Sequence, residues 1–209
     1  NTQFEYKNGF FQCRDLTISF LEAAARVSGL IIEKQYEHPP MIKFNEENYK
    51  GDAYPVYSWA AAVAELEVDP ITFEISLKNY YSTQDVGKAI NYDQTIAQIQ
   101  GGSLQGIGYA LFEKITLEEG QYDVHGFSDY IIPTPYDMPE FRIKVMENPY
   151  PFGPFGAKGL GELPLGGPPP AIASALIHIF GQEMNKIPVL PEDLFEMIRK
   201  VRKSAAYEI

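Results

Sequence analysis

Between Gly156 and Pro170 the chain reads Gly-Ala-Lys-Gly-Leu-Gly-Glu-Leu-Pro-Leu-Gly-Gly-Pro-Pro-Pro. Such a run does not fit the interior of a strand or helix, because glycine loses the most backbone freedom on ordering and proline has no N–H to donate. The fold must carry it as a loop, whose glycines allow positive φ and let the backbone approach a bulky ligand closely. Pro168, Pro169 and Pro170 then suit the start of an apolar helix through Ala171 to Ile177, and Gly181 suits its end. Glu162, the carboxylate of this loop, falls just ahead of that helix. Free N–H groups and partial positive charge at a helix start favour an anionic cofactor or reaction centre. Among glycines and prolines in an apolar region, Glu162 is expected to be enclosed rather than a solvated surface charge. A helix cap, or an ion pair with Lys158, is the plainer alternative.

The 209 residues, 45% hydrophobic and 13% aromatic, suffice for a sizeable core in one domain or two small ones. A net charge of −11 argues against a nucleic-acid or anionic-membrane partner. No apolar run of the roughly 18 residues needed to span a membrane stands out, and no signal peptide opens the chain, so a cytoplasmic location is the default expectation. Cys13, the single cysteine, forms no internal disulfide and no four-cysteine iron–sulfur site, and its neighbours Phe10 and Phe11 favour a buried thiol. His38, His125 and His178 lack the spacing of a zinc site, and no metal ligand is assigned. Because Asn1 opens the chain, an expressed fragment or a split subunit is expected.

Ser19-Phe20-Leu21-Glu22 fits a capping box, predicting a helix over 19–28 with Gly29 as its stop. A strand is expected over 31–36, a break at Pro39-Pro40, and an extended loop over 41–57. Ser58 to Glu67 is alanine-rich, with helix propensity in its residues, whereas Asp69-Pro70-Ile71-Thr72 reads as a hairpin turn into the alternating Phe73 to Lys78. Asp93 to Phe112 is the longest predicted helix. Its Gly101, Gly102, Gly106 and Gly108 each cost up to about 1 kcal/mol relative to alanine, so close contact with packing elements or a ligand is expected in return. Neither a dinucleotide fingerprint nor a phosphate-binding P-loop is present. Tyr80-Tyr81 reads as packing, and Pro191 to Val201 as an amphipathic helix with acids first and bases last.

Four motifs follow one another: Asp85-Val86-Gly87-Lys88-Ala89-Ile90-Asn91, then Gln98-Ile99-Gln100-Gly101-Gly102-Ser103-Leu104-Gln105-Gly106, then Phe127 to Pro139, then the Gly156 to Glu162 loop. In this order and spacing, from about Ser58 to Arg199, they resemble the C-terminal part of the molybdenum-binding domain of the xanthine dehydrogenase and aldehyde oxidase family. The resemblance implies an α+β fold of mixed helices and strands, with residues 1–209 as the C-terminal portion of the molybdopterin-binding domain. Over the Ala-rich segment it implies a strand. It also implies a molybdenum hydroxylase that oxidises an aldehyde or aromatic N-heterocycle with water as the oxygen source. Glu162 matches the family's base, which takes the proton of the attacking hydroxide. Gln98 matches its glutamine to molybdopterin, although Ala97 stands where the family has glycine. Gly159 and Gly161 would let the backbone pass close to the cofactor, carried as molybdopterin or its dinucleotide.

The rest of the molybdenum domain, with [2Fe–2S] and FAD domains or subunits, would be the partners and a small molecule the substrate. The chain alone is expected not to turn over. Two alternatives stand beside this reading. One is a non-catalytic structural or interaction domain that retains the fold. The other is a hydrolase pairing Glu162 with Glu147 or Asp137.

Overall fold

The computed structural model describes residues 5–206 apart from 15, 28, 30, 38, 40 and 41, with side chains through residue 199. Two compact units divide the chain, residues 1–38 and 39–209. The first is an antiparallel meander, β1 (Glu5–Lys7), β2 (Phe10–Cys13) and β3 (Leu16–Ser19), followed by helix α1 (Phe20–Arg26). Asn8 and Gly9 turn the β1–β2 hairpin with φ of 52° and 83°, the left-handed pair that a two-residue hairpin demands. The capping box forms as expected: Ser19 Oγ accepts from Glu22 N at 3.2 Å, and Glu22 Oε2 accepts from Ser19 N at 3.1 Å.

Two expectations in this unit need correction. Residues 31–37 form no strand and are all exposed, because the β-branched Ile31-Ile32 supplies propensity but no strand among the described residues pairs with this segment. Cys13 is half-buried rather than buried. His38 and Pro40 lie outside the described residues.

In the second unit, β4 (Phe44–Asn45) and β5 (Lys50–Gly51) form a small ladder inside the expected 41–57 loop. The main sheet has the order β10-β7-β6, with β6 (Ala60–Val68) antiparallel and β10 (Glu140–Met146) parallel to the central β7 (Ile75–Asp85). Tertiary packing overrides the helix propensity of the alanines in β6. Ala62, Ala64, Leu66 and Val68 alternate inward against the core, and small side chains there let a helix approach the sheet. The expected Asp69 turn closes the hairpin, its Oδ1 accepting from Ile71 N at 2.7 Å and Thr72 N at 2.8 Å.

Helix α2 (Tyr92–Leu111) crosses between the parallel strands β7 and β10, capped by Asn91 Oδ1 on Gln94 N at 3.1 Å. The short ladder β8 (Leu117–Glu118) and β9 (Gln121–Tyr122) follows it. Helices α3 (Pro168–Phe180) and α4 (Pro191–Ala206) complete the unit. Gly181 ends α3 in the left-handed conformation, φ 64°, as its sequence position predicts. Tyr80, Ile107, Leu176 and Leu194 are fully buried in the core they share, so Tyr80 does pack. The stretch Leu163–Phe180 averages a hydropathy of 1.2 over 18 residues. It is split, however, into a 3₁₀ turn and a 13-residue helix of about 20 Å, short of the ~30 Å of a bilayer core.

The glycines of α2 divide into two kinds. A Cβ on Gly106 would meet the Leu165 carbonyl oxygen at 2.5 Å, and one on Gly102 would meet Pro164 Cβ at 3.0 Å. One on Gly108 would meet Pro133 Cδ at 2.8 Å, whereas one on Gly101 would meet nothing within 4 Å. Three of the four are thus explained by close packing, and two of these receive the 3₁₀ turn Leu163–Gly166 directly behind Glu162. Gly106→Ala should therefore destabilise the chain by about 1–3 kcal/mol, because overpacking against a backbone carbonyl exceeds the helix-propensity gain. Gly101→Ala should stabilise it by up to about 1 kcal/mol. Urea unfolding of the two variants reads these opposite signs.

Candidate active site

Parallel strands β7 and β10 end side by side, and the loops that leave them build the site. Past Asp85 the backbone turns at Gly87 with φ 71°. A Cβ there would meet the Gly156 carbonyl oxygen at 2.4 Å and Lys158 N at 2.8 Å, so only glycine lets the two loops touch backbone to backbone. Across this contact Lys158 N donates to the Val86 carbonyl at 2.9 Å. Beside it, Lys88 pairs with Glu147 at 2.6 Å, and Glu147 also accepts from Ala89 N at 3.1 Å.

At the centre lies an ion pair with almost no exposure. Lys158 Nζ meets Asp85 Oδ2 at 2.7 Å, with side chains 4% and 1% exposed. Lys158 also donates to the Tyr57 carbonyl at 3.2 Å, and Asp85 Oδ1 accepts from Gly87 N at 3.0 Å. Burial pushes the Asp85 carboxyl up. The Lys158 hydrogen bond and the Gly87 N–H outweigh it, holding the carboxyl below the usual aspartate range. The Lys158–Glu162 pairing weighed from the sequence does not form, since Lys158 is committed to a residue 73 positions away.

Glu162 stands where the sequence places it, ahead of a helix start: it is the N-cap residue of the 3₁₀ turn, and α3 follows at Pro168. Its side chain makes no capping hydrogen bond. The expectation of an enclosed carboxylate is corrected, because Glu162 is exposed. Beside it, a Cβ at Gly159 or Gly161 would meet nothing within 4 Å. Nor do these two glycines take positive φ; in this region Phe155 and Gly156 do.

Gln98, exposed on α2, donates its Nε2 to the Gly161 carbonyl at 2.8 Å. It therefore touches the residue next to Glu162, a contact that sequence reading missed. Its side-chain oxygen keeps its accepting capacity. Glu162, Gln98, Gly159 and Gly161 thus converge on one exposed loop.

The hydrolase alternative loses its second carboxylate. Glu147 is held by Lys88 and Ala89, its carboxyl lowered by those two hydrogen bonds. Asp137 accepts from both Thr134 N and Thr134 Oγ1 at 2.7 Å. Among the described residues no three His, Cys, Asp or Glu side chains group as a metal site. A cavity of about 520 Å³ opens beside α2, lined by Gly101, Tyr109, Glu113, Pro133 and Leu165 among others, with Glu162 and Gln98 outside its lining. At its edge Tyr130 donates to Glu113, which raises the Tyr130 hydroxyl above its ordinary range.

A profile of the molybdopterin cofactor-binding domain matches residues 1–139, and the chain belongs to that family. It is 35% identical over 152 residues to the 6-hydroxypseudooxynicotine dehydrogenase complex subunit gamma of Paenarthrobacter nicotinovorans, covering 71% of this chain and 19% of that protein. It is 33% identical over 150 residues to the aldehyde oxidoreductase of Megalodesulfovibrio gigas, covering 71% of this chain and 16% of that one. Among solved structures, quinoline 2-oxidoreductase from Pseudomonas putida 86 superposes with a TM-score of 0.70 at 25% identity, over 94% of this chain and 26% of its own. The α+β architecture is thus that of the molybdenum hydroxylases. The chain spans between about a sixth and a quarter of the length of these relatives.

Breaking the buried pair has a readable cost. Lys158→Met leaves the Asp85 carboxylate buried without its cation and should cost about 3–5 kcal/mol at pH 7. Because the folded-state value of Asp85 is depressed, its contribution is present above the unfolded value of about 4 and is lost as pH falls through the folded value. Asp85→Asn should therefore show a flatter decline of unfolding free energy below about pH 4 than the wild type, measured by urea titration across pH.

Proposed function

We propose that residues 1–209 are the C-terminal portion of the molybdopterin-binding domain of a molybdenum hydroxylase, and that Glu162 is its catalytic base. The observation that carries the reading is the state of Glu162: a carboxylate at a helix start, without a capping hydrogen bond, with the lysine four positions before it paired elsewhere. Such a group is free to take a proton from a reacting molecule. The relatives named above act, by their names, on a nicotine derivative, an aldehyde and quinoline. The substrate class is accordingly an aldehyde or an electron-poor N-heterocycle.

The donor set suits the cofactor. Gln98 has an amide oxygen to offer to the ring system of a pterin, and a Cβ at Gly159 or Gly161 would meet nothing within 4 Å, which leaves room beside the loop. When bound, the molybdenum cofactor supplies the two-electron oxidising centre at which water-derived oxygen joins the substrate carbon. The net change is R–H plus water giving R–OH, two protons and two electrons, and the electrons leave through iron–sulfur and flavin groups on partner domains or subunits. In this scheme Glu162 receives one proton on a carboxylate oxygen. Gln98 has two tasks, holding the cofactor through its oxygen and the catalytic loop through its nitrogen.

Glu162→Gln in the complete enzyme keeps size and hydrogen bonding but removes the proton acceptor. Reduction by substrate in a single turnover should slow about 10²–10⁴-fold with molybdenum content unchanged. A rate within a few-fold of wild type would reject the base, whereas a full assembly that retains no molybdenum would favour the non-catalytic interaction domain. Gln98→Ala should weaken cofactor retention by about 1–3 kcal/mol, read as molybdenum lost on extended dialysis. The chain expressed by itself should fold yet bind little cofactor, which elemental analysis for molybdenum would check.

A further inference from the structure

Resting on the assignment of Glu162 as the base, we infer that Asp85 is a positioning residue of the same active site: through its buried ion pair with Lys158 it fixes the backbone that presents Glu162. Only three residues separate Lys158 from Glu162, so the four steps of chain between them reach at most about 14 Å. Each end of that span is tied down. At its start Lys158 is held three ways, through Nζ to Asp85 Oδ2 at 2.7 Å, through Nζ to the Tyr57 carbonyl at 3.2 Å, and through its backbone N–H to the Val86 carbonyl at 2.9 Å. At its end Gly161 is held by Gln98 at 2.8 Å, and Leu163–Gly166 rests on the glycines of α2. Between these anchors a Cβ added at Gly159 would meet nothing within 4 Å. Without the first anchor, the span leading to Glu162 hangs from one end.

Stability does not account for a pair buried this deeply. Replacing a buried ion pair by apolar side chains of similar volume is often neutral or stabilising, so its charges call for another explanation. What the pair supplies is direction. A carboxylate whose Oδ1 is fixed by Gly87 N–H holds the Lys158 ammonium at one point, whereas an apolar contact would let the side chain slide. It also spends the positive charge of Lys158 on Asp85, so the lysine four residues away cannot capture Glu162 and block it as a proton acceptor. The Gly87–Gly156 backbone contact sets the height of the loop, and the pair sets its place along the strand ends.

The test uses the complete, molybdenum-replete enzyme and a substrate that the wild type oxidises, comparing Asp85→Asn, Glu162→Gln and the double variant in single-turnover reduction. Asp85→Asn should slow the limiting rate about 10–100-fold with the substrate dissociation constant within about threefold. In the Glu162→Gln background the same substitution should change the rate by less than about twofold, because the group it positions is gone. Hydrogen exchange in 156–162 should rise several-fold in Asp85→Asn, with the amides of Ile99 to Ile107 unchanged, a readout independent of turnover. Equal slowing in both backgrounds, no slowing in either, or unchanged exchange in 156–162 overturns the inference and leaves the base assignment standing. A wild-type rate for Glu162→Gln alone overturns both. Should Asp85→Asn fail to fold, Asp85→Leu with Lys158→Met leaves no buried charge unpaired, and this variant should fold, retain molybdenum and still turn over slowly. Its wild-type rate would equally overturn the inference.

Discussion

Much of this architecture depends on how closely a helix can approach a turn. Gly102 and Gly106 bring the α2 backbone against Leu163–Gly166, and alanine at Gly106 would collide with a carbonyl oxygen rather than a movable side chain. That contact fixes the turn whose N-cap is Glu162 and the start of α3 beyond it. Because α2 is itself anchored between the parallel strands β7 and β10, the loop inherits the rigidity of the sheet. The glycines weaken the helix as an isolated element and strengthen it as a support, a conflict between local propensity and global fold of the kind that gathers at functional sites.

The same site shows how polar groups share the work with packing. Packing sets the distance of the turn from the helix, while directed bonds set its orientation: Gln98 on Gly161 from one side, Asp85 on Lys158 from the other. The carboxylates near the site fall into two groups. Asp85, Glu147 and Asp137 are each tied by two or more hydrogen bonds, and their charge is structural. Glu162 carries none of these ties and keeps its charge available.

What could be read in the sequence follows from the range of the interactions. Capping at Ser19, the Asp69 turn and the Gly181 stop are all settled within four residues, and the helices and hairpin they bound formed nearly where the residues placed them. The strand expected over 31–36 failed because a strand is defined by its neighbour. Strand β10 went unnoticed although Phe141, Ile143 and Val145 alternate with Glu140, Arg142 and Lys144, a period-two pattern hidden behind a proline-rich approach. At the site, the motifs located Glu162 and Gln98. The Asp85–Lys158 pair joins two of those motifs across 73 positions, and no local rule signals such a partner. The one available hint was that each motif carries a charge amid glycines and apolar residues, a setting in which a lone charge could not be buried.

The order of the sheet leaves β6 as an outer strand with nine residues, and among the described residues nothing pairs with its far edge. The opposite border, β10, interleaves Glu140, Arg142 and Lys144 with its apolar residues, the charged lining by which sheets discourage unwanted neighbours. On β6 the charges stand only at Glu65 and Glu67, so Ala60 to Ala64 form an uncharged, proline-free stretch at one end of that border. Removed from its surroundings, this chain should self-associate through β6. Handling it in solution then becomes a matter of shielding one strand, and a lysine at the outward Val63 is the smallest change that would do so.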